Sequence, residues 1–253
     1  MADEVKRTLK VLDTPEEVSE AAAGQAAAAI LAAVAARGRC ALVLAGGQTP
    51  KGTYALLARR YGQTIQWPSV HFFWGDERCV PPDDPRSNFK MAHDALLGQV
   101  PIPPENIHRI LGERPPALAA EEYERGLRAF FPAGASVPAF DLVFLGVGAD
   151  GHTASLFPGA PALEESRRWV MAVEAPEGVP CRHRVTLTLP AINASMAVFF
   201  LVTGAEKSAV VRDLCRDPVI LSATPAGRVR PHGELLLFVD KAAEGASPRD
   251  THE

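Results

Sequence analysis

The residues best able to do chemistry in this chain fall in four polar segments, and one segment sets an imidazole beside a carboxylate. In Gly146-Val147-Gly148-Ala149-Asp150-Gly151-His152-Thr153 the aspartate stands two residues before the histidine. An imidazole exchanges protons near neutral pH and a neighbouring carboxylate can orient it, so His152 with Asp150 reads as a general acid–base pair. A lone loop histidine is more often a hydrogen-bonded spectator; its company sets this one apart. The segment Ala45-Gly46-Gly47-Gln48-Thr49-Pro50 suits an anion. Gly46 and Gly47 let the backbone approach a ligand, Thr49 is expected to cap the next helix with Pro50 at its first position, and a helix N-terminus so built binds phosphate. An ordinary capped turn explains the same residues.

In Asp76-Glu77-Arg78, followed later by Ser87-Asn88, the acids can orient a hydroxyl while the arginine fork clamps a phosphate. The plainer alternative is a surface ion pair worth about 0–1 kcal/mol. In Thr203-Gly204-Ala205-Glu206-Lys207 the threonine and glutamate have capping-box spacing, which puts Lys207 in a first helical turn where the macrodipole disfavours a cation. A bound anion would remove that conflict, and a flexible exposed lysine would tolerate it.

Gly146, Gly148 and Gly151 also spell GxGxxG, with Glu174 about 20 residues further on, as a dinucleotide fingerprint requires. Pro158 follows closely enough to disrupt the helix whose N-terminus would face a pyrophosphate. No GxSxG elbow for a serine nucleophile is present.

Each segment begins where an apolar run ends. The runs 40–45, 70–74, 140–145 and 196–202 are each expected to be a buried strand followed by a loop and a helix, which gives an α/β fold: a Rossmann-like, mainly parallel sheet flanked by helices. Ligands bind beyond the carboxyl ends of such strands, so the four segments are expected to share one pocket. A strand over 8–12, an alanine-rich helix over Pro15–Arg37, a helix near 117–131 and a last strand over 234–239 complete the frame. Residues 101–138, proline-rich at both ends, read as an inserted or peripheral piece. Residues 182–189 alternate, with Arg184 and Thr186 on one face and Val185 and Leu187 on the other; they read as a half-exposed strand outside the parallel set, a small additional β element. The tail from Gly245 reads as frayed. Residues 1–253 are expected to form a single domain.

Composition narrows the class of function. With 47% hydrophobic and 22% charged residues the chain can bury a sizeable core, and its net charge of -4 gives no global attraction to nucleic acid or anionic membrane. Its four cysteines show no metal-ligand spacing or disulfide framework and read as buried reduced thiols. The N-terminal stretch lacks the pattern of a signal peptide, and no apolar run of roughly 20 residues is evident, so a cytoplasmic protein is expected.

Taken in order, AGGQTP, GDER with the later SN, GVGADGHTASLFPG, RVTLTLPAIN and TGAEK resemble the 6-phosphogluconolactonase family. The likeness runs from about Ala45 to Lys207. Related glucosamine-6-phosphate deaminases typically carry a tyrosine after the Asp-Glu pair and a different segment after DGH; here Arg78 and Thr153-Ala154-Ser155-Leu156-Phe157 fit the lactonase branch. The first loop departs from the common form, with Ala45 and Gln48 where serines are usual. The resemblance implies a metal-independent, cofactor-free hydrolysis of a small phosphorylated sugar lactone in the oxidative pentose phosphate pathway, with no obligate protein partner. His152 would be the base, Asp150 its orienter, and Asp76 a holder of sugar hydroxyls. Gly46, Gly47, Gln48, Thr49, Arg78, Arg184 and Lys207 would hold substrate and phosphate. A sugar-phosphate isomerase or deaminase, or a non-catalytic sugar-phosphate sensor, are the alternatives.

Overall fold

Apolar runs without a polar face are buried on both sides, and such runs form the four interior strands of a parallel sheet here. The structure, a computed structural model, describes residues 6–216 and 224–245. Strands β1 (Lys6–Leu12), β2 (Cys40–Leu44), β3 (Val70–Trp74), β5 (Leu142–Leu145), β8 (Ala197–Val202) and β9 (Glu234–Asp240) form one sheet in the order β1-β9-β8-β5-β2-β3, every pair parallel. Strands β4 (Asp76–Arg78), β7 (His183–Leu187) and β6 (Val170–Glu174) form a small antiparallel sheet, in the order β4-β7-β6. The chain leaves β2 toward β3 on one side and β5 toward β8 on the other. Their shared boundary is therefore the topological switch point, where a crevice opens beyond the strand ends.

Helix α1 (Pro15–Arg37) starts at Thr14, whose hydroxyl accepts the Glu17 amide, and stops at Gly38 in the left-handed region, φ 71°. It is long and apolar enough to cross a membrane by composition, contrary to the expectation from sequence. Val18, Ala22, Ala26, Ile30 and Ala33 bury one face of it in the core, which accounts for the apolarity. Helices α2 (Gln48–Tyr61), α3 (Asn88–Ala92), α4 (Pro116–Phe130), α5 (Leu189–Asn193) and α6 (Ser208–Arg216) follow.

Several expectations need correction. No α-helix follows β5: residues 146–160 run through turns to a short 3-10 segment, Pro161–Glu164, which removes the helix a dinucleotide fingerprint needs. After β3 the chain enters β4 instead of a loop and helix. Strand β7 is not half-exposed, because it is the middle strand of the small sheet and is buried from Arg184 to Leu187. Of the cysteines only Cys40 is buried; Cys79 and Cys181 are half-buried and Cys215 is exposed. The segment read as peripheral is packed in: α4 buries Ala119, Ala120, Tyr123 and Leu127. Past residue 245 the tail expected to fray lies outside the described residues.

Two tyrosines fasten the strand ends that carry the site. The Tyr54 hydroxyl accepts the Ala45 amide at 2.8 Å and donates to the Ala45 carbonyl at 3.1 Å, just beyond β2. Tyr123 does the same to Trp74 at the end of β3, at 2.8 and 3.0 Å. Both phenols are pushed far up by burial and stay neutral, so each serves as donor and acceptor at once.

At the opposite end of β3, His71 Nδ1 lies 3.2 Å from His108 Nε2, and His108 stacks on Phe73 with ring centroids 4.5 Å apart. Burial, then the neighbouring His71, pull His108 down from 6.5 to about 4. The unfolded chain therefore takes up this proton near pH 6.5 and the folded chain only near pH 4, so stability is lost as pH falls through that window. After allowance for partial solvent access the loss is about 1–2 kcal/mol. Urea unfolding at pH 7 and pH 4.5 should show it, with a smaller loss in His108→Phe. Equal losses in both proteins would rule out the imidazole as the cause.

Candidate active site

The Asp150–His152 pair sits beyond β5, in a turn that glycine permits. Asp150 Oδ1 accepts the His152 amide at 3.1 Å and meets its Nδ1 at 2.6 Å. A carboxylate only accepts, so Nδ1 is the donor in this contact; in an uncharged imidazole that tautomer leaves the lone pair on Nε2. Burial pushes the Asp150 carboxyl up, but the His152 amide and ring outweigh it and hold it below its ordinary value. The ring packs against Phe157 at 4.9 Å. Gly148 is required by close approach, since a Cβ there would collide with Nδ1 of His152 and Oδ1 of Asp150.

Beyond β2 the glycine loop turns into α2. Gly47, at φ 109°, is the N-cap and supplies no side chain; the helix starts at Gln48, so Thr49 is inside it rather than capping it. Thr49 instead shares a 2.8 Å hydrogen bond with Thr203 from the loop after β8. No side chain caps α2 and its first turn holds no acid, so its amides and dipole remain available to an anion. Gly46 is needed for a different reason: a Cβ would run into the Asn88 amide.

Around β4 three charged residues take different roles. Glu77, 2% exposed, accepts the Arg78, Asn88 and Phe89 amides and the Ser87 hydroxyl, all between 2.7 and 2.9 Å. It is a clamp on the 79–87 loop and no part of the cavity wall. Burial still pushes its carboxyl up against these four donors. Arg78 donates from Nη1 to the Arg86 carbonyl at 2.6 Å, while its buried Nε has no partner among the described residues. A guanidinium in the cavity wall suits an anion. Asp76, 6% exposed, lies 3.8 Å from Arg184 Nη1. The rest of the Arg184 fork is committed to the Cys181 and Pro180 carbonyls at 2.9 and 2.8 Å.

Beyond β8 the expected capping box does not form. Gly204, at φ 99°, precedes a 3-10 turn, Ala205–Lys207, without a side-chain cap, and its amide donates to Asp240. Lys207 makes no ion pair among the described residues.

All these loops face one cavity of about 360 Å³, at the switch point. Its wall includes Gly46, Gly47, Gln48, Thr49, Asp76, Arg78, His152, Arg184 and Lys207. Asp150 stands behind His152. A second cavity of about 430 Å³ lies across the Thr49–Thr203 partition between α1 and α2, and holds neither the imidazole nor Lys207.

The sequence pattern of a family described as glucosamine-6-phosphate isomerases/6-phosphogluconolactonase matches residues 13–237. The chain belongs to this family. Among its members, a 6-phosphogluconolactonase of Synechocystis sp. is 43% identical over 216 residues, 85% of this chain and 87% of that one. One of Mycobacterium bovis is 42% identical over 233 residues, 90% and 94% of the two chains. The structure of 6-phosphogluconolactonase from Trypanosoma brucei superposes with a TM-score of 0.87 at 34% identity, covering 96% of this chain and all of that one. A monomeric glucosamine-6-phosphate deaminase, at 23% identity and a TM-score of 0.77, shares the fold.

Each motif that carries the family likeness contributes residues to this cavity. Sequence reasoning missed Asn88 and Ser155 as partners of Asp76, Thr203 as the partner of Thr49, and the two tyrosines. The later SN of the GDER motif was the one available signal, for Asn88.

Proposed function

We propose that this chain hydrolyses 6-phospho-D-glucono-1,5-lactone to 6-phospho-D-gluconate, in the oxidative pentose phosphate pathway of the cytoplasm, as one α/β unit without a cofactor. The observation that carries the reading is the Asp150-oriented His152 in the same cavity as three cations and an uncapped helix N-terminus. Relatives 37–43% identical bear the lactonase name.

A lactone carbonyl is already electrophilic, so catalysis needs a positioned water, a base and stabilisation of negative charge. His152 Nε2 takes a proton as the water oxygen bonds to C1. The tetrahedral oxyanion is met by cationic donors of the cavity wall, Arg78 among them. Collapse breaks the bond from C1 to the ring oxygen, and His152 returns the proton to that oxygen. Asp150 keeps the ring in the required tautomer and steadies it while charged. The phosphate lies at the N-terminus of α2, among Gly46, Gly47, Gln48 and Thr49, with Lys207 opposite; Arg184 balances Asp76 from within the wall. Asp76 accepts sugar hydroxyls.

A pH-controlled assay on purified protein, corrected for spontaneous ring opening, tests this. The lactone should open well above background, with no ammonia released from glucosamine 6-phosphate. Lys207→Ala should raise KM roughly 10-fold or more and leave kcat within a few-fold. Ammonia release without lactone opening would overturn the reaction, and an unchanged KM in the variant would remove Lys207 from the anchor.

A further inference from the structure

We infer that Ser155, buried behind the cavity wall, is a positioning residue: it holds the Asp76 carboxylate in the one orientation that accepts substrate hydroxyls. This rests on the reading of Asp76 as a substrate contact. Ser155 is fully buried, and its hydroxyl donates to Asp76 Oδ2 at 2.6 Å, a short charge-assisted bond. Asn88, 2% exposed, donates from Nδ2 to the other oxygen, Oδ1, at 3.2 Å, and to the Asp76 carbonyl at 2.9 Å. A carboxylate has about four acceptor positions. Two are taken from the protein side, one on each oxygen, and the remainder belong to a side chain that lines the cavity. Such a group is set to receive hydroxyl protons from a polyhydroxylated ring.

The backbone shows how the serine reaches that place. Thr153 and Leu156 bond to each other across a tight turn, at 2.9 and 3.3 Å, with Ala154 at its first inner position at φ 49°. That left-handed conformation is uncommon for alanine, and it persists here because both sides of the turn are tied down. Ala154 lines the cavity, while the next residue points inward. The Ser155 amide donates to Thr186 Oγ1 at 3.2 Å, and Thr186 is the register partner of Asp76 across the β4–β7 pair. One residue thereby ties the loop that carries Asp150 and His152 to the small sheet that carries Asp76 and Arg184. The distance between the base and the hydroxyl acceptor is set by this junction.

A double-mutant cycle on the lactone substrate decides the matter. Ser155→Ala should lower kcat/KM by about 10- to 100-fold, the scale for losing a hydrogen bond to a charged group, and should lower the thermal midpoint by roughly a few degrees, since a buried carboxylate loses a donor. Asp76→Asn should lower it at least as far. In the Asp76→Asn background, adding Ser155→Ala should cost less than about 2-fold, because the serine acts only through the carboxylate. Additive losses would overturn the role given to Ser155 while leaving Asp76 as a contact. Normal kinetics in Asp76→Asn would overturn both. Unchanged kinetics in Ser155→Ala alone would show that the turn is structural only.

Discussion

His152→Ala should lower kcat by roughly 10²- to 10⁴-fold and leave KM within a few-fold of its original value. The split follows from what the imidazole does. It contributes little to holding a phosphorylated ligand, since the phosphate is met by the α2 N-terminus and Lys207. Its work lies in the proton it moves between the attacking water and the leaving ring oxygen, which are present together only on the way over the barrier. Residual rate over background would remain, because the cationic donors still stabilise the tetrahedral oxyanion without the base. The ring is about one-third exposed and packs on Phe157 at one face, so its removal opens no core cavity and should hardly move the thermal midpoint. A variant with normal kcat would take His152 out of the mechanism, and the Asp150 contact would then be a surface ion pair.

Much of this architecture is legible in the sequence because the signals are local. Fully apolar runs such as Ala197–Val202 have one physical solution, a strand covered on both faces, and the loops after them must then open at the same sheet edge. The motif residues share a cavity for that reason. Local rules fail where a distant group takes over a local role. Thr49 looks like a cap, but Gly47 takes that position and the threonine hydroxyl goes to Thr203. Glu77 looks as available as Asp76, yet donors from Arg78 and from Ser87, Asn88 and Phe89 at the start of α3 turn it away from the cavity. The alternation in β7 promises a solvated face, and the polar side chains Arg184 and Thr186 are instead buried against neighbours across the small sheet.

Glycine spacing shows the same limit. Gly146, Gly148 and Gly151 match a nucleotide fingerprint letter for letter, and none of them does that job here. Gly146 would meet nothing if it carried a side chain, Gly151 is needed for its φ of 82°, and Gly148 is needed for the space beside the imidazole. A pattern records that side chains are missing. Only the fold tells which neighbour occupies the room.

Gly148→Ala is therefore expected to lower kcat by about 10²-fold or more, close to the loss from removing His152 itself, with only a small change in stability. The added methyl would occupy the position of the His152 ring edge and of Asp150 Oδ1, so the pair cannot keep its present geometry. Two outcomes are sterically open: the turn shifts, or the imidazole rotates outward. The second is the easier, because the His152 side chain is 35% and the Asp150 side chain 49% exposed, and solvent will accept either group. The backbone does not resist alanine either, since φ at this position is not positive. Reduced freedom of the unfolded chain even offsets part of any strain, by about 0.4–1 kcal/mol. The expected signature is thus a collapse of kcat with KM and the thermal midpoint nearly unmoved, measured on the same preparation. Retention of kcat would mean that the dyad tolerates displacement and that the base need not be held by Asp150. A steep loss of stability would instead assign Gly148 to the turn itself, through the bond its amide donates to the His152 carbonyl at 2.8 Å.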